Sequence, residues 1–187
     1  RKPGAVGPPL AGIDVRVVDD SGQVLDSGEI GNLQVRGPNV FIGYWNMPDK
    51  TTEDFTADGF FDTGDKGLID EDGYVSIVGR AKDMVITGGL NVYPKEIEQL
   101  IDELDGVGES AVIAVPHPDF GEAVVAIVVP SLGAQLREDG VLSACKGQMA
   151  NFKIPKRVIF IAELPRNTMS KVQKNVLRET YRDLFRH

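Results

Sequence analysis

Sulfur and imidazole are scarce in this chain of 187 residues, which has one cysteine, Cys145, and two histidines, His117 and His187. A single thiol can close no internal disulfide, which fits a reducing compartment and a cytoplasmic protein. The expected role of Cys145 is that of a small buried apolar side chain. No Cys/His cluster has metal-ligand spacing, so no protein-held metal is expected. No apolar run approaches the ~20 residues that span a bilayer. The opening Arg1-Lys2-Pro3-Gly4-Ala5-Val6-Gly7-Pro8-Pro9 puts two charges ahead of no apolar stretch, so neither a signal peptide nor a membrane partner is expected. Positive charge is also short. With 28 acidic residues against 20 basic, the net charge is -8. That balance argues against a nucleic-acid or anionic-membrane partner, because phosphate neutralisation needs clustered Lys and Arg, but it leaves room for one small anion at a local site. Internal repeats and low-complexity tracts are absent. The chain opens without an initiator methionine and is expected to be a piece of something longer.

What is present falls into two patterns. To about Gly79 the chain reads as β-rich. Ile13-Asp14-Val15-Arg16-Val17 and Asn32-Leu33-Gln34-Val35 alternate with the period of half-buried strands. Gly67-Leu68-Ile69 and Tyr74-Val75-Ser76-Ile77-Val78 flank Asp70-Glu71-Asp72-Gly73, a hairpin signal. Short strands spaced by Gly and Asp predict a small barrel or sandwich.

Beyond Gly79 helices join the strands. Pro94 opens a helix, and Ile97, Leu100, Ile101 and Leu104 give it one apolar stripe. Two apolar strands follow, Ala111–Val115 and Val124–Val129, then a weaker helix from Glu138 to Met149. A strand at Val158–Ile161 precedes a last helix carrying Leu177, Tyr181 and Leu184. The mixture predicts a compact α+β domain. The boundary is expected in the charged segment Gly79-Arg80-Ala81-Lys82-Asp83, where a plain loop within one domain is the alternative.

Three stretches carry chemistry. In Phe61-Asp62-Thr63-Gly64-Asp65, aromatics are expected to pack a turn while Gly64 aims Asp65 outward. Its carboxylate has two acceptor oxygens, suited to a vicinal diol, although Asp beside Gly is commonly just a turn. In the segment from Gly79 to Asn91, Gly88-Gly89 either admits a ligand close to backbone or simply turns a hairpin. In Leu164-Pro165-Arg166-Asn167-Thr168-Met169-Ser170-Lys171, a lysine on a loop before the last helix offers a mobile point charge. Such a charge can stabilise a phosphoryl or carboxyl oxygen, while a solvated surface lysine is the commoner fate. Lys174, Arg178 and Arg182 share one helical face, expected to be solvated.

Taken in order, these segments resemble the adenylate-forming superfamily of acyl-CoA synthetases, peptide-synthetase adenylation domains and luciferases, over essentially the whole chain. Gly28-Glu29-Ile30-Gly31-Asn32-Leu33-Gln34-Val35-Arg36-Gly37 through Gly43-Tyr44-Trp45 is similar to its glycine-rich barrel motif. Phe61–Asp65 matches its ribose-binding motif, Gly79–Glu98 its hinge motif, and Pro165–Lys171 its C-terminal lysine motif. The wording of Val115–Glu122, Leu164–Met169 and Lys171–Tyr181 is most similar to bacterial malonyl-CoA synthetases.

The resemblance implies an α/β and α+β architecture: residues 1–81 close a large adenylation domain as a β-rich, barrel-like subdomain, and 82–187 form a small mobile lid. It implies that Asp65 accepts from the ATP ribose, Arg80 holds the same nucleotide, and Lys82 is the hinge. Lys171 would stabilise charge as pyrophosphate leaves. Gly88 and Gly89 would line the coenzyme A passage, and Asn91 would touch nucleotide. The substrates implied are ATP with Mg2+, coenzyme A and a small carboxylic acid, malonate foremost. The phosphate-binding loop and acyl pocket are expected upstream of Arg1. A lysine acetyltransferase acting on Lys171 is a further implied partner, since acetylation removes the charge. The sequence departs from the family at Ser170, where glycine is usual; if that position needs positive φ, serine is costly there. Two other readings stand beside the ligase: an adenylation domain loading a carrier-protein thiol, and a detached lid acting as an interaction module.

Overall fold

The computed structural model describes residues 2 and 4–186; Arg1, Pro3 and the terminal His187, part of the N-terminal and histidine readings, lie outside the described residues. The chain divides into two compact units, Arg1–Lys82 and Asp83–His187.

The first unit is built on a four-stranded antiparallel meander of β1 (Asp14–Val18), β2 (Gly31–Arg36), β3 (Phe61–Ile69) and β4 (Val75–Arg80). A short helix, α1 (Pro48–Asp54), fills the β2–β3 connection. The alternating Val15, Val17 and Leu33 form its core with Val75, Leu25 and Ile69, as period-2 patterning requires. Phe60 is buried between two guanidinium groups, Arg16 at 3.9 Å and Arg36 at 4.4 Å from its ring centre. Phe61 packs on Phe41 and Phe55, with ring centres 5.0 and 5.2 Å away.

The second unit has its own sheet, in the order β6-β5-β8-β7, from β5 (Val85–Thr87), β6 (Leu90–Val92), β7 (Val107–His117) and β8 (Gly121–Pro130). β9 (Arg157–Phe160) runs parallel to β8. Alternate residues of the β7–β8 hairpin serve two cores. Val112, Val124, Ala126 and Val128 face α2 (Pro94–Asp102) and α3 (Glu138–Lys146), joining Ile97, Ile101, Val141 and Cys145. Ala111, Ile113, Val115, Val125 and Ile127 face the other way, joining Leu164 and Leu177 of the segment containing α4 (Lys174–Tyr181). Coverage on both faces is why these strands read as unbroken apolar runs rather than alternating ones. Cys145 is fully buried, and burial pushes its thiol pKa up, which disfavours the reactive thiolate. The third helix stops at Lys146, three residues short of the expected Met149, where a turn at Gly147 redirects the chain.

Candidate functional site

Phe61–Asp65 was expected to form a turn, and the structure corrects this: the five residues open strand β3. Asn32 pairs with Lys66 and Gln34 with Asp62, so Thr63, Gly64 and Asp65 together oppose Leu33 alone. Such a bulge needs one left-handed residue, and Gly64 supplies it at φ +69°. The Thr63 hydroxyl closes the bulge, donating to the Leu33 carbonyl at 2.8 Å and accepting from the Asp65 N–H at 3.1 Å. The extra residues bring Asp65 opposite Arg80, the last residue of β4. Arg80 Nε lies 2.9 Å from Asp65 Oδ1, and Arg80 also donates to the Thr63 carbonyl at 3.3 Å. Asp65 Oδ2 has no protein partner among the described residues. The Asp65 side chain is 21% exposed and that of Arg80 54%, so the pair presents one free acceptor and a cationic edge to solvent. That donor and acceptor set suits a ribose diol beside a phosphate.

Lys82 follows in a single 3-10 turn, Ala81–Asp83, and is exposed. Gly88 and Gly89 take φ +57° and +79° between β5 and β6, a two-residue hairpin of the type such twin positive angles define. Both are exposed, and a Cβ at either would meet nothing within 4 Å, so φ, not close packing, is what demands glycine here. The Gly88 N–H donates to the Phe120 carbonyl at 2.9 Å, which ties the hairpin tip to the β7–β8 turn. Asn91, opposite Ile86 on β6, is exposed.

Lys171 stands on a second tight loop. Arg166 and Val172 pair as an isolated antiparallel bridge, and Gln173 N–H donates to the Pro165 carbonyl at 2.8 Å. Inside, Asn167 Oδ1 accepts the N–H groups of both Met169 and Lys171 at 3.0 Å. Arg166 donates to the Ser170 carbonyl at 2.8 Å and is itself paired with Glu109. Ser170 sits at φ +61°, one of only two non-glycine residues with positive φ among those described. The loop is fixed below by Leu164, Val172 and Leu177 on the sheet. The Lys171 ammonium is exposed and has no protein partner among the described residues. No hydrogen bond or ion pair joins it to Gly88, Gly89 or Asn91.

Left-handed backbone costs an L-residue on the order of 1–2 kcal/mol, and glycine returns part of that through its looser unfolded chain. Ser170→Gly is therefore expected to stabilise the second unit by up to ~1 kcal/mol. Thermal unfolding checks it; no change or a loss of stability would refute the strain argument.

The expectation of a solvated Lys174-Arg178-Arg182 face holds only for Arg182, which pairs with the exposed Glu179 and Asp183. Lys174 lies 2.6 Å from Glu98, a buried carboxylate, and Arg178 pairs with Asp83. Helical spacing alone carried no signal of these partners, because Glu98 and Asp83 come from distant segments. Asn167 could have been noticed, since Asn is a turn former that caps its own loop. Among the described residues no group of three or more His, Cys, Asp or Glu is placed to hold a metal ion, and no helix is long and apolar enough to cross a membrane.

A bulge-set Asp–Arg pair, a Gly-Gly hairpin and a lysine loop thus lie on a meander followed by an α+β unit, and the chain belongs to the AMP-binding enzyme family. The model of the AMP-binding enzyme matches residues 1–45, and that of the AMP-binding enzyme C-terminal domain matches residues 96–171. The chain is similar to ATP-bound MatB from Rhodopseudomonas palustris, at 61% identity and a TM-score of 0.92, over 100% of this chain and 37% of that one. A substituted propanoyl:CoA ligase of Rhodococcus jostii is 47% identical over 173 residues, 92% of this chain and 32% of that protein. Indoleacetate–CoA ligase of Aromatoleum aromaticum is 41% identical over 179 residues, 96% of this chain and 35% of that protein. The chain thus spans about a third of the length of the curated relatives it matches.

Proposed function

We propose that this chain is the C-terminal part of a cytoplasmic ATP-dependent, AMP-forming acyl-CoA ligase whose acid is malonate. The observation that carries the reading is the Lys171 loop. The Lys171 ammonium, exposed and without a protein partner among the described residues, stands on a backbone fixed by Asn167 and Arg166, which leaves its charge available to a bound anion. In the first step the carboxylate oxygen attacks the α-phosphorus of ATP, the bond to the β-phosphate oxygen breaks, and pyrophosphate leaves. Lys171 stabilises negative charge on the carboxylate and phosphate oxygens as this happens. Asp65 accepts from the ribose hydroxyls, and Arg80 keeps Asp65 oriented while adding positive charge to the nucleotide site. Mg2+ travels with the nucleotide phosphates, and no step of this chain's chemistry passes through it.

In the second step the coenzyme A thiol, losing its proton, attacks the acyl carbon and AMP departs. Residues 1–81 belong to the large domain and 82–187 to a lid that pivots at Lys82 between the two steps. Gly88 and Gly89 line the pantetheine passage and Asn91 lies toward the nucleotide. The relatives' names share CoA ligation but differ in acid, which fits an acyl pocket built by another part of the enzyme. Malonate is favoured by the wording of residues 115–122, 164–169 and 171–181, which is most similar to bacterial malonyl-CoA synthetases.

The test is made on the complete enzyme. Pyrophosphate release is followed across a panel of acids led by malonate, and thioester formation is then followed with coenzyme A. Release with malonate above the other acids, and coenzyme A sufficing as thiol acceptor, are the expected results. Release with none of the acids, or transfer only to a carrier-protein thiol, overturns the ligase reading; another preferred acid overturns malonate alone.

A further inference from the structure

The helix that follows Lys171 is tied down at two points whose positions bear on how that lysine is delivered. α4 begins at Lys174, and Lys174 Nζ lies 2.6 Å from Glu98 Oε1. The same carboxylate oxygen accepts the Val112 N–H at 2.8 Å, so α4 is joined at once to α2 and to the edge strand β7. One turn further on, Arg178 donates to Asp83, 95 residues away in sequence. Asp83 is the first residue of the second unit and follows Lys82 directly. Between the two ties, Leu177 is buried on the sheet. Solvent-exposed ion pairs hold little. These pairs are shielded instead: the Glu98 side chain is 9% exposed and that of Asp83 17%.

We infer that Arg178 and Lys174 are positioning residues for the adenylation step. They lock the Lys171 loop in register with the residue that follows the pivot, so that a backbone rotation ahead of Asp83 moves Lys171 as a rigid arm. The inference rests on the proposed role of Lys171. Without the Arg178 tie, rotation at the pivot would be dissipated in slippage of the second unit's first residues against α4. Lys171 would then reach its place less often. Displacements of about 1 Å in a catalytic group cost up to ~100-fold in rate. Thioester formation from a preformed acyl-adenylate does not use Lys171 and should not feel the loss.

The complete ligase is compared with its Arg178→Met, Arg178→Lys and Lys171→Ala variants in both half-reactions. Arg178→Met is expected to lower kcat for pyrophosphate release roughly 10-fold, with KM for ATP changed less than about 2-fold and thioester formation retained. Arg178→Lys is expected to recover most of the loss, since it keeps the charge that faces Asp83. If Arg178→Met lowers both half-reactions equally, in step with the fraction folded, the residue is merely structural and the inference falls. If it changes neither while Lys171→Ala abolishes pyrophosphate release, the positioning role falls alone. If Lys171→Ala leaves pyrophosphate release intact, the adenylation reading and this inference fall together.

Discussion

Lys171→Ala in the complete enzyme is expected to slow pyrophosphate release by on the order of 100- to 1000-fold, the range for removing one preorganised donor from a developing oxyanion. The structure explains why so much should rest on one side chain. The ammonium has no partner within the described residues, so it enters the transition state without first breaking an ion pair. Its loop is also held in place before substrate arrives: Asn167 Oδ1 fixes the Lys171 N–H at 3.0 Å, and Arg166 fixes the neighbouring carbonyl at 2.8 Å. Such preorganisation is what makes a charge effective, because little reorganisation is left to do during the reaction. The alanine variant should fold normally, since the side chain is exposed and supports no core. Given preformed acyl-adenylate and coenzyme A, it should still make thioester. Acetylation of Lys171 should reproduce the alanine result, because it removes the charge and leaves the backbone alone. Undiminished pyrophosphate release in the alanine variant, or in the fully acetylated protein, would remove Lys171 from the mechanism.

Lys82→Pro should divide the two half-reactions the other way. Proline fixes φ at its own position and restricts the preceding residue, here Ala81, so the backbone just ahead of Asp83 is stiffened at two residues. Lys82 is exposed in the short 3-10 turn Ala81–Asp83 and holds no ion pair among the described residues, so little native interaction is lost by the substitution. If Lys82 is the pivot, the variant is caught in one pose. Thioester formation is then expected to fall on the order of 100-fold and pyrophosphate release less than about 10-fold. Equal losses in the two steps would count against a pivot at this residue.

Local pattern was enough for much of this architecture. The stripe Ile97, Leu100, Ile101 and Leu104 marked α2 because a helix must bury one face, and both Ile97 and Ile101 are fully buried. Twin glycines at 88 and 89 left a hairpin turn as one of two readings, and the hairpin is there because glycine takes two successive positive angles at no steric cost. The odd residue at 170 was legible as well. Ser170, where the family resemblance implies glycine, carries φ +61°. Each of these follows from constraints a residue feels within a few positions of itself.

The bulge at Thr63–Asp65 was not legible in that way. Its five-residue motif reads equally as a turn, and what decides is the register of a partner strand: Leu33 accepts three residues opposite it while Arg80 is brought level with Asp65. The charged face of α4 was hidden for the same reason. Lys174 and Arg178 look like solvated residues until α2 and the start of the second unit fold against them, placing Glu98 and Asp83 within reach. Backbone angle and apolar period are written locally, and the residues that carry them could be named from the chain alone. An ion pair or a strand register belongs to two segments at once, so it comes into being only when long-range packing brings them together.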